Sequence, residues 1–390
     1  MSQPANEQRA DYDLICFSHL RWNFVFQRPQ HLLSRCAKKR RVFYVEEPMT
    51  AAGAPRLEMT LDPATNVHVV VPYLPAELDD AEREQRQGEL LAKLCEEQSI
   101  IDPVAWFYTP MALPIAASLK LRAHVYDCMD ELSAFKGAPA ELLVRERQLL
   151  EIADLVFTGG HALFEAKKHL HPNIHPFPSS VDTAHFGQAR KGPAAPADQA
   201  GIPTPRLGFF GVIDERMDLA LLESVARSRP DWQLVMLGPV VKVDPAELPR
   251  LPNIHYLGAK AYAVLPSYVA GWDVALMPFA KNEATRFISP TKTPEYLAAG
   301  KPVVSTSIRD VVRPYSVQGL ARIADTPSDF IVACEAAMNE SNEKLLRRAD
   351  PFLAKTSWDA TWAAMESLMD RAVLGRISSE TGYADEREVG

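Results

Sequence analysis

The chain has 390 residues, 47% of them hydrophobic and 24% charged, with a formal net charge of −8 at pH 7. That length exceeds one ordinary core and fits two domains of ~150–200 residues, in a composition usual for a folded globular protein. The acidic balance argues against a general nucleic-acid binder, and no run of ~20 apolar residues is present to span a bilayer.

Short apolar runs separated by helical patterns predict strands at 13–17, 42–45, 67–71, 105–108, 124–126 and 155–157. Helices are predicted between them around 29–39, 79–98, 111–119, 140–152 and 161–170. Strands apolar on both faces that alternate with helices imply a parallel sheet covered on each side. Residues 187–205 (GQARKGPAAPADQAGIPTP) are rich in Gly, Pro and Ala without hydrophobic periodicity, which predicts an interdomain linker. The alternation then restarts, with strands at 207–213, 233–238, 254–257, 273–277, 302–305 and 320–323. Helices are predicted near 217–228, 265–271, 291–299, 327–338 and 341–347. The organisation expected is a first α/β domain over 1–186, the linker, and a second over 206–356. A helix over 357–376 follows, then a polar, disordered tail over 377–390. Trp358, Trp362, Met365 and Met369 are spaced for one helical face. That face either closes the second domain or returns to the first.

The five cysteines (Cys16, Cys36, Cys95, Cys128, Cys334) are odd in number and lack C-x-x-C spacing. This points to reduced thiols in a cytoplasmic protein rather than a disulfide framework or a zinc site. The opening MSQPANEQRADYD has no apolar core, so no secretory signal is expected. The basic run Lys38, Lys39, Arg40 and Arg41 reads either as a solvated helix end or as a contact for anionic lipid headgroups.

Residues 283–304 (EATRFISPTKTPEYLAAGKPVV) combine a Ser-Pro helix start, a lysine, a lone carboxylate and a glycine stop before a buried strand. The first turn of a helix offers unpaired N–H groups to an anion. Ser289 or Thr293 would cap this helix, with Pro290 or Pro294 at its first position. With Ser289 as cap, the amides of Thr291 and Lys292 face the anion, and Glu295 lies where it can accept ribose hydroxyls. Together they read as a nucleotide-diphosphate site. In parallel sheets ligands bind beyond the carboxyl ends of strands. There Arg216 could pair with a diphosphate, or be an ordinary surface arginine beside two acids. Gly238 also lies at a strand end, on the side expected to choose the nucleobase. In the first half, Ser18 to Asn23, including His19, and Gln27 to His31 form a polar and aromatic set suited to a polyhydroxylated substrate. Asp127, Asp130 and Glu131 follow another strand, and any of them could be a general base or stabilise a cationic sugar transition state. Helix capping is the plainer role for Asp130. His161, after Gly159-Gly160, could meet a phosphate or a sugar hydroxyl. No metal-ligand spacing and no Walker-A lysine pattern is present.

EYLAAGKPVVST (295–306), ADLVFTGGHALFE (153–165), PSSVDTAHF (178–186), GFFGVIDERMD (208–218) and FSHLRWNFVFQRPQHLLSR (17–35) carry a resemblance. The chain resembles GT-B glycosyltransferases, closest to the family 4 / family 1 group of bacterial sugar transferases. With YDCMDELSAF (126–135) it is similar to a subgroup found with capsule, exopolysaccharide and lipopolysaccharide genes. The resemblance implies two Rossmann-like domains facing across a cleft, with a last helix returning to the first domain. It implies a nucleotide sugar on the second domain, a saccharide or lipid-linked acceptor on the first, and no required metal or other cofactor. A cytoplasmic enzyme at the inner membrane face is expected. Phe287 stands where the family places the first of two glutamates, leaving Glu283 as the nearest acid upstream. Val212 stands where an arginine is usual, leaving Arg216. A nucleotide-sugar 2-epimerase and a noncatalytic binding protein share this architecture and remain as alternatives.

Overall fold

The structure, a computed structural model, describes residues 11–387. Residues 1–10, which carry most of the segment from which no signal was expected, and the last three of the expected tail lie outside the described residues.

The first sheet contains β1 (Leu14–Ser18), β2 (Val42–Glu46), β3 (Met49–Thr50), β4 (Arg56–Asp62) and β5 (Val67–Leu74). It continues with β6 (Val104–Phe107), β7 (Ala123–Cys128), β8 (Leu155–Thr158) and β9 (Ile174–Pro176). Their order is β3-β5-β2-β1-β6-β7-β8-β9, parallel throughout, with β4 added antiparallel to β5. Every residue of β1, β2, β6 and β8 is buried, as expected of strands covered on both faces. Sequence periodicity missed β4, whose RLEMTLD alternates half-buried and exposed at the sheet margin, and also the very short β3 and β9.

The second sheet contains β10 (Arg206–Phe210), β11 (Gln233–Leu237), β12 (Ile254–Gly258), β13 (Val274–Met277), β14 (Val303–Ser305) and β15 (Ala321–Ile323). It runs β12-β11-β10-β13-β14-β15, all parallel. Numbered from its first strand this is the doubly wound order 3-2-1-4-5-6, and β5-β2-β1-β6-β7-β8 repeats it in the first sheet. Each sheet therefore reverses direction beside its first strand, and the carboxyl ends of β1 and β10 open onto one cleft.

The segment expected as a linker is packed. Its Ala189 and Ile202, with Val181 and Phe186 just before it, belong to the second core, and buried Gln199 bonds to Tyr268 O (2.9 Å) and Trp272 Nε1 (2.9 Å). Proline and glycine broke its periodicity, yet single apolar side chains suffice to seat it. The long helix Trp358–Arg387 places Trp358, Trp362, Met365, Met369 and Val373 in the first-sheet core. Full burial of such side chains contributes about 1.5–3 kcal/mol each. The helix extends through residues 377–387, part of the span expected to be a disordered tail. No helix among the described residues is long and apolar enough to cross a membrane.

That helix also accounts for the basic run. Lys39 pairs with Glu366 (2.5 Å), Arg40 with Glu366 (3.2 Å) and Asp370 (3.6 Å), and Arg41 with Asp13. Three of its four cations thereby have carboxylate partners, two of them on that helix. All five cysteines are free thiols, four of them buried.

Candidate active site in the cleft

Two strand ends of the second sheet build the floor. Gly211 follows β10 with φ +136°, and Gly238 follows β11 with φ +145°. A β-carbon at Gly238 would sit 1.8 Å from the Gly211 carbonyl oxygen, and one at Gly211 would sit 2.1 Å from Lys292 Cε. Only glycine meets both the backbone angle and the space at these positions. Gly238 was anticipated from sequence. Gly211 has the same signal in sequence, a glycine closing the apolar run in GFFGVI, next to Val212.

The helix Lys292–Ala298 stands next to this floor. Tyr296 Oη accepts the Phe210 amide (3.1 Å), tying the helix to the end of β10. Neither serine nor threonine caps it as expected. Thr291 occupies the cap position without a side-chain bond, Thr293 Oγ1 meets Met277 Sδ (3.1 Å), and the Ser289 carbonyl accepts from Ser179 Oγ (2.8 Å).

Lys292, Glu295 and Thr291 line a cavity of about 350 Å³ with Gly211, Gly238, Pro239 and Tyr262. Trp22 through Gln27 of the first domain close its other side. Glu295 is 5% exposed, and its Oε2 is buried with no hydrogen-bond partner. Burial pushes the Glu295 carboxyl up and the Lys292 ammonium down, while the opposite charges of the pair oppose both shifts. Lys292 lies 5.7 Å from the Phe209 ring centroid. Among the described residues it forms no ion pair within 4.0 Å.

A second cavity of about 90 Å³ shares Gln27, Thr291 and Lys292 with the first. Asp130, Arg216, Arg28, Ser289 and Pro290 also line it. Asp130 is its single acid, pushed up to about 6 by burial against the opposing pull of Arg216 and Arg28. Arg216 is held by Asp214 (2.7 to 3.1 Å) and lies 5.6 Å from the Phe135 ring of the first domain. The Lys136 amide reaches Glu215 Oε1 (3.1 Å) beside it. YDCMDELSAF and GFFGVIDERMD therefore meet face to face.

Four expected catalytic residues do not join this set. Asp127 is fully buried and grips Arg28 through two bonds of 2.9 Å each, so it holds the scaffold rather than a substrate proton. His19 is half-buried, does not line the 350 Å³ cavity, and is pushed down to about 4 by burial, with the positive charge of Lys242 adding to the effect. His161 is exposed and lines neither of these cavities, but a third of about 300 Å³ with Asp310 and Lys355, which shares Ser179 and Ser289 with the second. Glu283 projects to solvent, 72% exposed, beside Arg286 (3.4 Å), and does not replace the missing acid. Phe287, in the place expected for that acid, packs instead against the first-sheet core. His31, part of the expected polar set, is buried in an aromatic stack on Trp358 at 4.6 Å. Among the described residues no group of three or more His, Cys, Asp or Glu side chains is placed to hold a metal ion.

Comparison with known proteins agrees with this architecture. Residues 204–340, which contain the glycine floor and the Lys292–Ala298 helix, match the family described as Glycosyl transferases group 1. The chain is 27% identical over 270 residues to a teichuronic acid biosynthesis glycosyltransferase, TuaH, of Bacillus subtilis (strain 168), covering 64% of this chain and 67% of that one. Among solved structures, sucrose-phosphate synthase from Thermosynechococcus elongatus aligns with a TM-score of 0.71 at 13% identity, over 94% of this chain and 100% of that one. HepE of Anabaena, solved with UDP and glucose, aligns with a TM-score of 0.67 at 14% identity, over 92% and 99%. The chain thus has the GT-B fold of these glycosyltransferases, and its residues 204–340 match the group 1 glycosyl transferases.

Proposed function

We propose that the chain moves a glycosyl group from a nucleotide diphosphate sugar to a saccharide acceptor, free or lipid-linked, during assembly of a cell-surface polysaccharide. One observation carries this reading. Two glycines, a lysine without an ion pair and an unpartnered buried carboxylate converge on one cavity at the carboxyl ends of β10 and β11. The bound UDP and glucose of HepE support the donor class, and the named pathway of TuaH supports the cell-surface context.

In this reading Glu295 accepts the ribose hydroxyls, and the diphosphate lies over Gly211, where no side chain intervenes, against Lys292 and Arg216. The acceptor oxygen bonds to the anomeric carbon as the bond from that carbon to the diphosphate oxygen breaks. The electron pair of that bond leaves with the diphosphate, whose growing charge Lys292 stabilises. Asp130, the acid of the adjoining cavity, takes the acceptor proton, a role suited to a carboxyl near 6. The charge is met by side chains, so no resident metal is invoked, and turnover should survive dialysis against EDTA.

A thermal-shift screen of UDP-, GDP-, ADP- and dTDP-sugars tests the donor site. A ligand at about 100 times its Kd adds about 2.7 kcal/mol, or several degrees of Tm for a protein of this size. At least one donor should give this shift, and Glu295→Ala should abolish it without unfolding the chain. No shift with any donor would remove the reading.

A further inference from the structure

We propose that Glu131 is a positioning residue: through Lys167 it seats the turn that carries Asp130 and so aims the acid of the 90 Å³ cavity at the acceptor. This rests on the reading of Asp130 as the base.

The turn has little else to hold it. Residues 129–138 form no strand and no α-helix, only a short helical turn over Leu132–Ala134 in which no residue is buried. Its backbone bonds are local: the Met129 amide to Asp127 O (2.9 Å), Leu132 to Asp130 O (3.1 Å) and Ala134 to Glu131 O (3.0 Å). Such bonds fix the shape of a turn and not its place. Beneath it, Gly159 lies so close that a β-carbon there would sit 2.1 Å from Met129 O, which props the turn without gripping it.

Glu131 supplies the grip. Its Oε2 meets Lys167 Nζ at 2.9 Å, and Ser133 Oγ donates to its Oε1 (2.7 Å). Lys167 ends the helix His161–Lys167, is 5% exposed, and donates to both oxygens of Glu146 at 2.7 and 2.8 Å. An ammonium has three protons to give, and three carboxylate oxygens surround this one. Tyr126 Oη, on the strand β7 that leads into the turn, donates to Glu146 Oε1 (2.8 Å). Both oxygens of Glu131 are thereby engaged, and it does not line the 90 Å³ cavity, which leaves Asp130 as the acid that meets the acceptor.

The charge balance shows what the second acid adds. Lys167 and Glu146 already make a neutral buried pair. Glu131 brings a second carboxylate to the same ammonium, and excess charge away from water is unfavourable. Stability alone would be served by stopping at Glu146. Glu131 is the member of the set that sits on the turn, one residue after Asp130, so its contribution is the location of that residue. A polar network whose members are all satisfied is rigid. Location matters steeply for rate, since a misplacement of about 1 Å can cost about 10²-fold.

Three full-chain variants test this: Glu131→Ala, Glu131→Gln and Asp130→Asn. Each is followed by amide hydrogen exchange, by calorimetry with UDP and GDP, and by nucleoside diphosphate release, with water as acceptor, from UDP-glucose or GDP-mannose, whichever raises the melting temperature. In Glu131→Ala, exchange should quicken over residues 129–135 and not elsewhere. Release should fall about tenfold to 10²-fold while nucleotide affinity stays at the wild-type value. Glu131→Gln can still accept from Lys167 and bond Ser133, so it should keep the wild-type exchange pattern and most of the rate. Wild-type release by Glu131→Ala, or unchanged exchange over 129–135, overturns the proposal. So does a Glu131→Gln variant as slow as Glu131→Ala, because the carboxylate would then be acting as a proton acceptor and not as an anchor. Wild-type release by Asp130→Asn would instead sink the base reading, and this inference with it.

Discussion

On the first-domain side of the cleft, charge is matched internally. Arg28 is held by Asp127 and by the Phe177 carbonyl (2.7 Å), and Lys167 bonds Glu146 at 2.7 and 2.8 Å beneath the Asp130 loop. On the second-domain side, among the described residues, Lys292 has no ion pair, Glu295 Oε2 and Tyr262 Oη have no hydrogen-bond partner, and two glycines bare the backbone. Buried polar atoms without partners occur on the first side too, at His19 Nδ1 and Tyr108 Oη, but it is on the second that such an atom belongs to an acid lining the 350 Å³ cavity, where a ligand can complete the set. The first side is a frame with one free carboxyl, Asp130, and the second is a receptor.

Asp127 and Asp130 give the sharpest way to break that contrast, since they stand three positions apart on the same strand end. Asp130→Asn should lower turnover about 10²- to 10⁴-fold while leaving the melting temperature close to wild type. Its pH profile carries the sign. Asp130 is raised to about 6, so the wild-type rate should rise as pH climbs through about 6 and the carboxyl ionises. The variant should lack that limb. Asp127→Asn should do the opposite. By stranding buried Arg28 it should cost about 3–5 kcal/mol of stability, read as a lower denaturant midpoint. If both variants lose turnover alone, the frame reading fails.

Lys292→Ala comes next. It should cost about 10²- to 10³-fold in turnover, because it removes a positive group that acts where charge develops, and it should not destabilise a site in which the ammonium is unpaired. A clear fall in melting temperature would show that Lys292 serves the fold. The smallest effect belongs to Phe26→Ala. Losing its stack on the Tyr262 ring, at 4.5 Å, should weaken donor binding by about 0.5–1.5 kcal/mol in calorimetry and change the melting temperature little. An unchanged affinity would uncouple the first-domain loop from the receptor side.

Strand and helix alternation is carried by local apolar runs, so both sheets could be read from sequence, as could the Lys292–Glu295 helix. The packed segment after Phe186 could not, because its seat depends on Gln199 finding Trp272, a partner 73 positions away. The same distance effect misassigned Asp127, since nothing local says that Arg28, 99 positions earlier, consumes it. Glu283 is near the site only in sequence, and a short turn sends it to solvent. Glu131 reads as a possible base beside Asp130, because nothing local shows Lys167 reaching it from the far end of the helix His161–Lys167.

A crystal structure of the full chain grown with UDP or GDP bears most directly on the asymmetry of the cleft. The diphosphate should lie over Gly211 within reach of Lys292, with the ribose hydroxyls at Glu295. A nucleotide lodged against the first sheet, or anywhere that leaves Glu295 Oε2 without a partner, would contradict it.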